Sequence, residues 1–164
     1  MGGKDYGTWW HDTLQQFPWR ENDDVRSTYL DRAGRTIPAT EDWRHRGRDE
    51  LAGFAISATC GELSEAGRIF QPEIPFAHAV PGEPPIWVEG ILDLLVLRAD
   101  GTAWIVDWKT DRQREGESAE TLLARLKETY AAQLEAYATA IQAAGRAVTR
   151  RTIYSTALGS AIDC

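Results

Sequence analysis

Two cysteines, Cys60 and Cys164, are all the thiols in this chain of 164 residues. A four-thiolate zinc site or an iron–sulfur cluster is therefore excluded, and a pair so far apart makes a poor disulfide framework, so reduced thiols in a cytoplasmic setting are expected. Long apolar runs are also missing. None approaches the roughly 18 residues of a membrane span, and Met1-Gly2-Gly3-Lys4 leads into polar residues rather than a signal-peptide core. The expectation is a soluble protein with no membrane partner. Positive charge is scarce: 18 Lys+Arg against 25 Asp+Glu leave a formal net charge of -7. No overall field draws in a polyanion, so contact with nucleic acid needs a local basic patch or a bound metal. A G-x-x-x-x-G-K-[ST] phosphate loop is absent, which excludes an ATP site in this chain. There is no internal repeat and no low-complexity tract.

What is present is 43% apolar residues over the length of one ordinary domain, enough to bury roughly two thirds of the unfolded surface. Residues 1–164 are read as a single domain. Thr8 is a candidate N-cap for a helix on which Trp10, Leu14 and Phe17 form an apolar stripe, with His11 beside it and Pro18 at its end. Residues 20–39, rich in Arg, Asp and Asn, show no sustained period and read as an irregular connection. From Thr40 a helix-compatible run puts Leu51, Phe54, Ala55 and Ala58 on one face, and a break near Gly61 is expected. Pro75 makes Glu73 to Val80 read as a strand at a sheet edge or one that begins late. Trp87–Leu97 and Ala103–Lys109 are the long strands. Ser118 caps a helix to about Ala144, closed by Gly145; Ala147–Thr156 is a last strand and Leu158–Cys164 a tail. The order is an α/β pattern with an antiparallel hairpin inside a mixed sheet.

Asp93 on the first long strand and Asp107-x-Lys109 at the end of the second stand among Ile, Leu, Val and Trp. Buried charges are seldom found unless paired or bound to metal. The hairpin loop decides whether they meet. A two-residue Asp100-Gly101 turn would set Asp93 opposite Trp108 and send the two aspartates to opposite faces. A three-residue loop, Ala99-Asp100-Gly101 with Gly101 left-handed, puts Asp93 across from Asp107. Lys109 then shares the face of Asp107, while Trp104, Val106 and Trp108 face the other way.

The strings Gly90-Ile91-Leu92-Asp93, Asp107-Trp108-Lys109-Thr110-Asp111 and Gln133-Leu134-Glu135-Ala136-Tyr137 resemble the G-x-x-D, D-x-K-T-D and Q-x-x-x-Y motifs of the RecB/AddA-type nuclease domain of the PD-(D/E)XK superfamily. Upstream, Gly7-Thr8-Trp9-Trp10-His11 is similar to its G-x-x-x-H helix and Glu73-Ile74-Pro75-Phe76 to its E-x-P-F strand. One piece alone is unspecific; five in order are not. The resemblance implies a restriction-endonuclease-like fold, a mixed β-sheet flanked by helices with an αβββαβ core behind N-terminal helices. It implies His11, Asp93 and Asp107 as metal ligands together with the Trp108 backbone carbonyl, and Lys109 as the catalytic lysine beside Asp107 and Asp93. Gln133, Tyr137 and Glu73 would support the site or hold DNA.

The expected function is that of a metal-dependent deoxyribonuclease domain, the exonuclease part of a helicase–nuclease in recombinational DNA repair. The domain would be excised from a longer chain and would act on a single strand or duplex end delivered by a motor in cis or in trans. Carboxylates suit Mg²⁺, and the imidazole makes Mn²⁺ a substitute. The rival reading is a non-catalytic DNA-binding or docking domain with the same fold, disfavoured because Asp93, Asp107 and Lys109 are all present. Arg112, Arg114, Arg125, Arg150 and Arg151 are candidates to line a DNA channel, and Trp9 and Trp108 candidates to stack on a base.

Overall fold

The computed structural model describes residues 3–38 and 41–164, with side chains described for 5–38 and 42–164. Thr40, the expected start of a helical run, and the side chain of Lys4 lie outside the described residues. Four helices lead, α1 (Gly3–Gln15), α2 (Asp23–Ala33), α3 (Glu41–Ala55) and α4 (Ala58–Leu63). Strands β1 (Ile69–Val80), β2 (Ile86–Leu97) and β3 (Ala103–Lys109) follow, then α5 (Ala119–Ala143), β4 (Val148–Ser155) and β5 (Ser160–Asp163). The sheet runs β1-β2-β3-β4-β5. Its first three strands are antiparallel, β4 joins β3 in parallel across α5, and β5 returns antiparallel. This is the mixed sheet flanked by helices that the motifs imply. No helix among the described residues is long and apolar enough to cross a membrane.

Alternation along β2 and β3 divides the core. Leu94, Val96, Trp104, Val106 and Trp108 pack with Tyr154 against Trp10, Leu14, Phe17 and Phe54 of the N-terminal helices. Leu95, Leu97, Ala103 and Ile105 turn to the other face, where Tyr137 and Ala138 of α5 cover them. With helices on both faces, β3 is buried along almost its whole length. The hairpin has the three-residue loop. Leu94 pairs with Val106 and Leu97 with Ala103, Arg98 N–H donates to Thr102 O at 2.9 Å, and Gly101 takes φ 83°.

Four expectations are corrected. Residues 20–39 are not irregular throughout, since α2 occupies Asp23–Ala33 with Asn22 as N-cap. Only Leu30 and Ala33 on it are buried, too few apolar positions to show a period. Helix α1 begins before Thr8, which therefore lies inside it rather than capping it. The break after α3 falls at Ser57, whose side chain caps α4, and Gly61 sits within that helix; Leu51 and Phe54 are buried, Ala55 and Ala58 exposed. The segment read as a tail forms β5, turned back by Gly159 at φ 60°. Asp163 fixes it by accepting from Arg150 and from the Thr152 hydroxyl. A four-residue strand is too short to announce itself by alternation.

Candidate active site

The register that the three-residue loop sets would next bring Asp93 opposite Asp107, but the β2–β3 ladder stops at Leu94–Val106. Beyond that rung Trp108 N–H donates to the Asp93 side chain, Oδ2 accepting at 2.7 Å. Asp93 thereby stays beside Asp107 and is held by strand backbone. On its other flank β1 pairs with β2 on both sides of one missing rung, between Pro72–Leu94 and Ile74–Leu92. The residue there is Glu73, a non-glycine with φ 50°, a conformation that costs of order 1–3 kcal/mol and tends to persist at functional sites. The kink exchanges the faces of the ribbon. Phe70 and Leu94 pack towards the N-terminal helices, whereas Ile74, Phe76 and Leu92 pack towards α5. Glu73, Asp93 and Asp107 thus stand in one row across three strands, at the point where the sheet changes face.

Helix α1 supplies the fourth group. His11 Nδ1 lies 3.4 Å from Asp93 Oδ1 and 3.5 Å from Glu73 Oε1. Ligand atoms of His11, Glu73 and Asp93 all fall within 4.8 Å of one another, a set able to hold a metal ion. One helical turn before His11, Gly7 of α1 faces the end of β3, where a Cβ would meet Thr110 Oγ1 at 3.4 Å, an ordinary van der Waals contact.

Asp107 is fully buried. Lys109 Nζ pairs with its Oδ2 at 2.6 Å, and among the described residues neither carboxylate oxygen accepts a directional hydrogen bond. Burial pushes the Asp107 carboxyl up from the ordinary range, with Lys109 opposing. Burial, with Asp107 alongside, also pushes Asp93 up, against the Trp108 N–H and Lys109. Two crowded buried carboxyls, one of them met only by the Lys109 ammonium among the described residues, fit a cation as a further neighbour. Carboxylate and imidazole donors suit a hard divalent ion.

Lys109 is oriented from α5. Its ammonium lies 4.2 Å from the centre of the Tyr130 ring and 3.5 Å from Gln133 Oε1. The Gln133 amide donates in turn to the Tyr137 hydroxyl, which donates to Ile91 O at 2.9 Å. The expected supporting pair therefore links the lysine to the strand that carries Asp93. Ser118, the N-cap, sets the start of this helix. Asp111, quoted in the motif but given no role, accepts from Tyr130 at 3.2 Å and lies near Arg125, tying the loop after β3 to α5.

The structure thus brings His11, Glu73, Asp93, Asp107, Lys109, Gln133 and Tyr137 to one place. Glu73 is closer to the acids than its expected supporting role suggested. The Trp108 N–H donates to Asp93. The base-stacking candidates are corrected, because Trp9 and Trp108 are buried. Of the basic candidates, Arg125 pairs with Glu117, Arg150 with Glu62 and Asp163, and Arg151 with Glu135. Arg112 and Arg114 are exposed.

A sequence model of the PD-(D/E)XK nuclease superfamily matches residues 2–161. The chain is also similar to the ATP-dependent helicase/nuclease proteins of three bacteria. That of Carboxydothermus hydrogenoformans is 39% identical over 105 residues, 57% of this chain and 8% of the relative. That of Staphylococcus epidermidis is 31% identical over 145 residues, 80% of this chain and 12% of the relative. That of Oenococcus oeni is 28% identical over 151 residues, 86% and 12% respectively. The chain thus spans about a tenth of these relatives. With the row of acids, the lysine and the five motifs in place, the chain belongs to the PD-(D/E)XK nuclease superfamily, as a RecB/AddA-type nuclease domain.

Proposed function

We propose that this chain is a metal-dependent deoxyribonuclease domain that hydrolyses phosphodiester bonds, the exonuclease part of a cytoplasmic helicase–nuclease serving recombinational DNA repair. The observation that carries this reading is Asp107, fully buried beside Asp93 and Lys109, with no directional hydrogen bond to either carboxylate oxygen among the described residues. An ordinary structural acid at that depth would be hydrogen-bonded. The relatives' name, helicase/nuclease, agrees with it.

His11, Glu73, Asp93 and Asp107 would hold Mg²⁺, or Mn²⁺ in its place, with the Trp108 carbonyl as a further ligand. Bound there, the ion would lower the pKa of a coordinated water and neutralise charge on the phosphoryl group. The residues do the positioning. Lys109, oriented by Gln133 and Tyr130, is placed to hold the attacking water and to stabilise negative charge as it develops. A bond forms from water oxygen to phosphorus and the water proton passes to solvent; the bond to the 3′ oxygen breaks, its electron pair leaving with that oxygen, which takes up a proton from solvent as the 3′ hydroxyl. Gln133, exposed at the edge of the site, would face the DNA strand, with the buried Tyr137 hydroxyl supporting its amide. Single-stranded DNA or a duplex end is the substrate, delivered by a helicase motor in cis or in trans.

The test is cleavage of labelled linear single- and double-stranded DNA with Mg²⁺, Mn²⁺ or EDTA, run beside Lys109→Ala and Asp107→Ala. Metal-dependent cleavage lost in both variants is expected. Cleavage in EDTA, or full activity in both variants, overturns the mechanism. Binding without cleavage would favour the DNA-docking alternative.

A further inference from the structure

Helix α3 contributes no residue to the row of acids, yet its buried polar groups reach both walls of the site. Arg46 and Glu50, one turn apart, form an ion pair through Arg46 Nε and Glu50 Oε1 at 2.5 Å. Only 6% of the Glu50 side chain and 15% of that of Arg46 is exposed. The other Glu50 oxygen accepts from Tyr6 Oη at 3.0 Å and from Trp10 Nε1 at 2.9 Å. Trp10 directly precedes His11. The Arg46 guanidinium lies 4.2 Å from the centre of the Tyr6 ring, and its Nη2 donates to Thr110 O at 2.8 Å. Thr110 directly follows Lys109, at the point where β3 leaves its last pair with β4, Lys109–Ser155.

We infer that Arg46 is a positioning residue for the nuclease site. Its fork of donors holds the α1 helix that carries His11 against the end of the strand that carries Lys109. The inference rests on the nuclease reading above. The geometry separates Arg46 from a plain stabilising ion pair, because one planar guanidinium serves two partners on different elements, the Glu50 carboxylate and the Thr110 carbonyl. Thr110 O is a poor place to anchor a helix merely for stability, being one residue beyond the sheet. It is a good place to fix Lys109. Gly7 faces Thr110 from the α1 side, and Arg46 ties the two walls together there. A catalytic group displaced by about 1 Å can lose on the order of a hundredfold in rate.

The variant that separates the roles is Arg46→Lys, which keeps a charge for Glu50 but gives up the fork that also reaches Thr110. It is compared with wild type and with Val96→Ala, a buried-core change outside the site that serves as the stability control. In hydrogen exchange on the metal-free 164-residue chain, Arg46→Lys is expected to exchange faster over residues 107–112 and over α1, with α5 and β4 unchanged. In DNA cleavage its kcat is expected to fall about tenfold with KM within about twofold, and its Mn²⁺ affinity severalfold. Val96→Ala should leave kcat within about twofold of wild type. Unchanged exchange over 107–112 in Arg46→Lys overturns the clamp. Faster exchange there with kcat and Mn²⁺ affinity no lower than in Val96→Ala overturns the positioning role. If wild type neither binds Mn²⁺ nor cleaves, the nuclease reading falls by itself, and the exchange arm, which needs neither metal nor DNA, still decides whether Arg46 clamps the two walls.

Discussion

Gly90 faces Phe76 directly across the β1–β2 ribbon, and a Cβ at position 90 would stand 2.8 Å from the Phe76 ring and 3.6 Å from that of Tyr137. The two rings themselves meet edge to face, 5.1 Å apart. Three motifs far apart in sequence, the glycine of G-x-x-D, the phenylalanine of E-x-P-F and the tyrosine of Q-x-x-x-Y, therefore form one contact that seats α5 on the ribbon. Gly90→Ala should push Phe76 off this seat and destabilise the chain by about 1–3 kcal/mol, the usual cost of overpacking. Combining it with Phe76→Leu should recover part of the loss. Chemical denaturation of the single and double variants measures both; a Gly90→Ala chain as stable as wild type would mean that the ring is free to move.

Asp107 trades stability for chemistry. Asp107→Asn relieves the crowding of two buried carboxyls, at the loss of the Lys109 ion pair, and should stabilise the metal-free chain by about 1 kcal/mol. The same change should abolish Mn²⁺ binding or weaken it by at least tenfold. Lys109→Ala should leave the fold intact and lower kcat on the order of a hundredfold to ten-thousandfold. Denaturation in EDTA, isothermal titration with Mn²⁺ and cleavage kinetics read the three effects; an Asn variant less stable than wild type contradicts the account of Asp107.

The backbone of Glu73 carries strain that glycine would not. With φ at 50°, Glu73→Gly should stabilise the metal-free chain by about 1 kcal/mol while weakening Mn²⁺ binding severalfold. Glu73→Val, a branched residue in the same conformation, should destabilise it. Equal stability of the Gly and Val variants would show that the kink relaxes when the side chain changes.

Stability should depend on pH in a direction fixed by the crowded acids. Burial raises the native carboxyl of Asp93 above its unfolded value, so the native chain retains a proton that the unfolded chain has released. This contribution is fully present below the ordinary carboxylate pKa, about 4, and is lost as pH rises towards the raised native value. In EDTA, wild type should lose stability relative to Asp93→Asn as pH increases from about 4 into the neutral range. Mn²⁺ at about a hundred times its Kd should restore roughly 2.7 kcal/mol at neutral pH. Parallel denaturation profiles for the two chains would rule out Asp93 as the titrating group.

Local chemistry made much of this protein legible from sequence. Asp100-Gly101 marked the turn and left a two- and a three-residue loop open; the structure takes the three-residue loop, and strict alternation along a strand then sets Asp93 beside Asp107. Ser118 and Gly145 marked the ends of α5, since capping is decided within one turn. Alternation alone assigned Trp104, Val106 and Trp108 to the face opposite Lys109. Helix α2 and strand β5 escaped because each owes its place to few buried residues and to long-range partners, such as Asp163 against Arg150.

What only the tertiary structure decided is how the motifs meet. No local rule gives a non-glycine residue such as Glu73 a left-handed backbone; packing on both sides of the ribbon imposes it, and so turns the sheet's faces over at the acids. Nor does the i, i+4 spacing of Arg46 and Glu50, ordinary on any helix surface, reveal that the pair is buried between His11's helix and Lys109's strand. Sequence named the groups that would do chemistry because their types and spacing are chemical. Their distances, their burial and the partners that hold them depend on segments far apart in the chain, which only folding brings together.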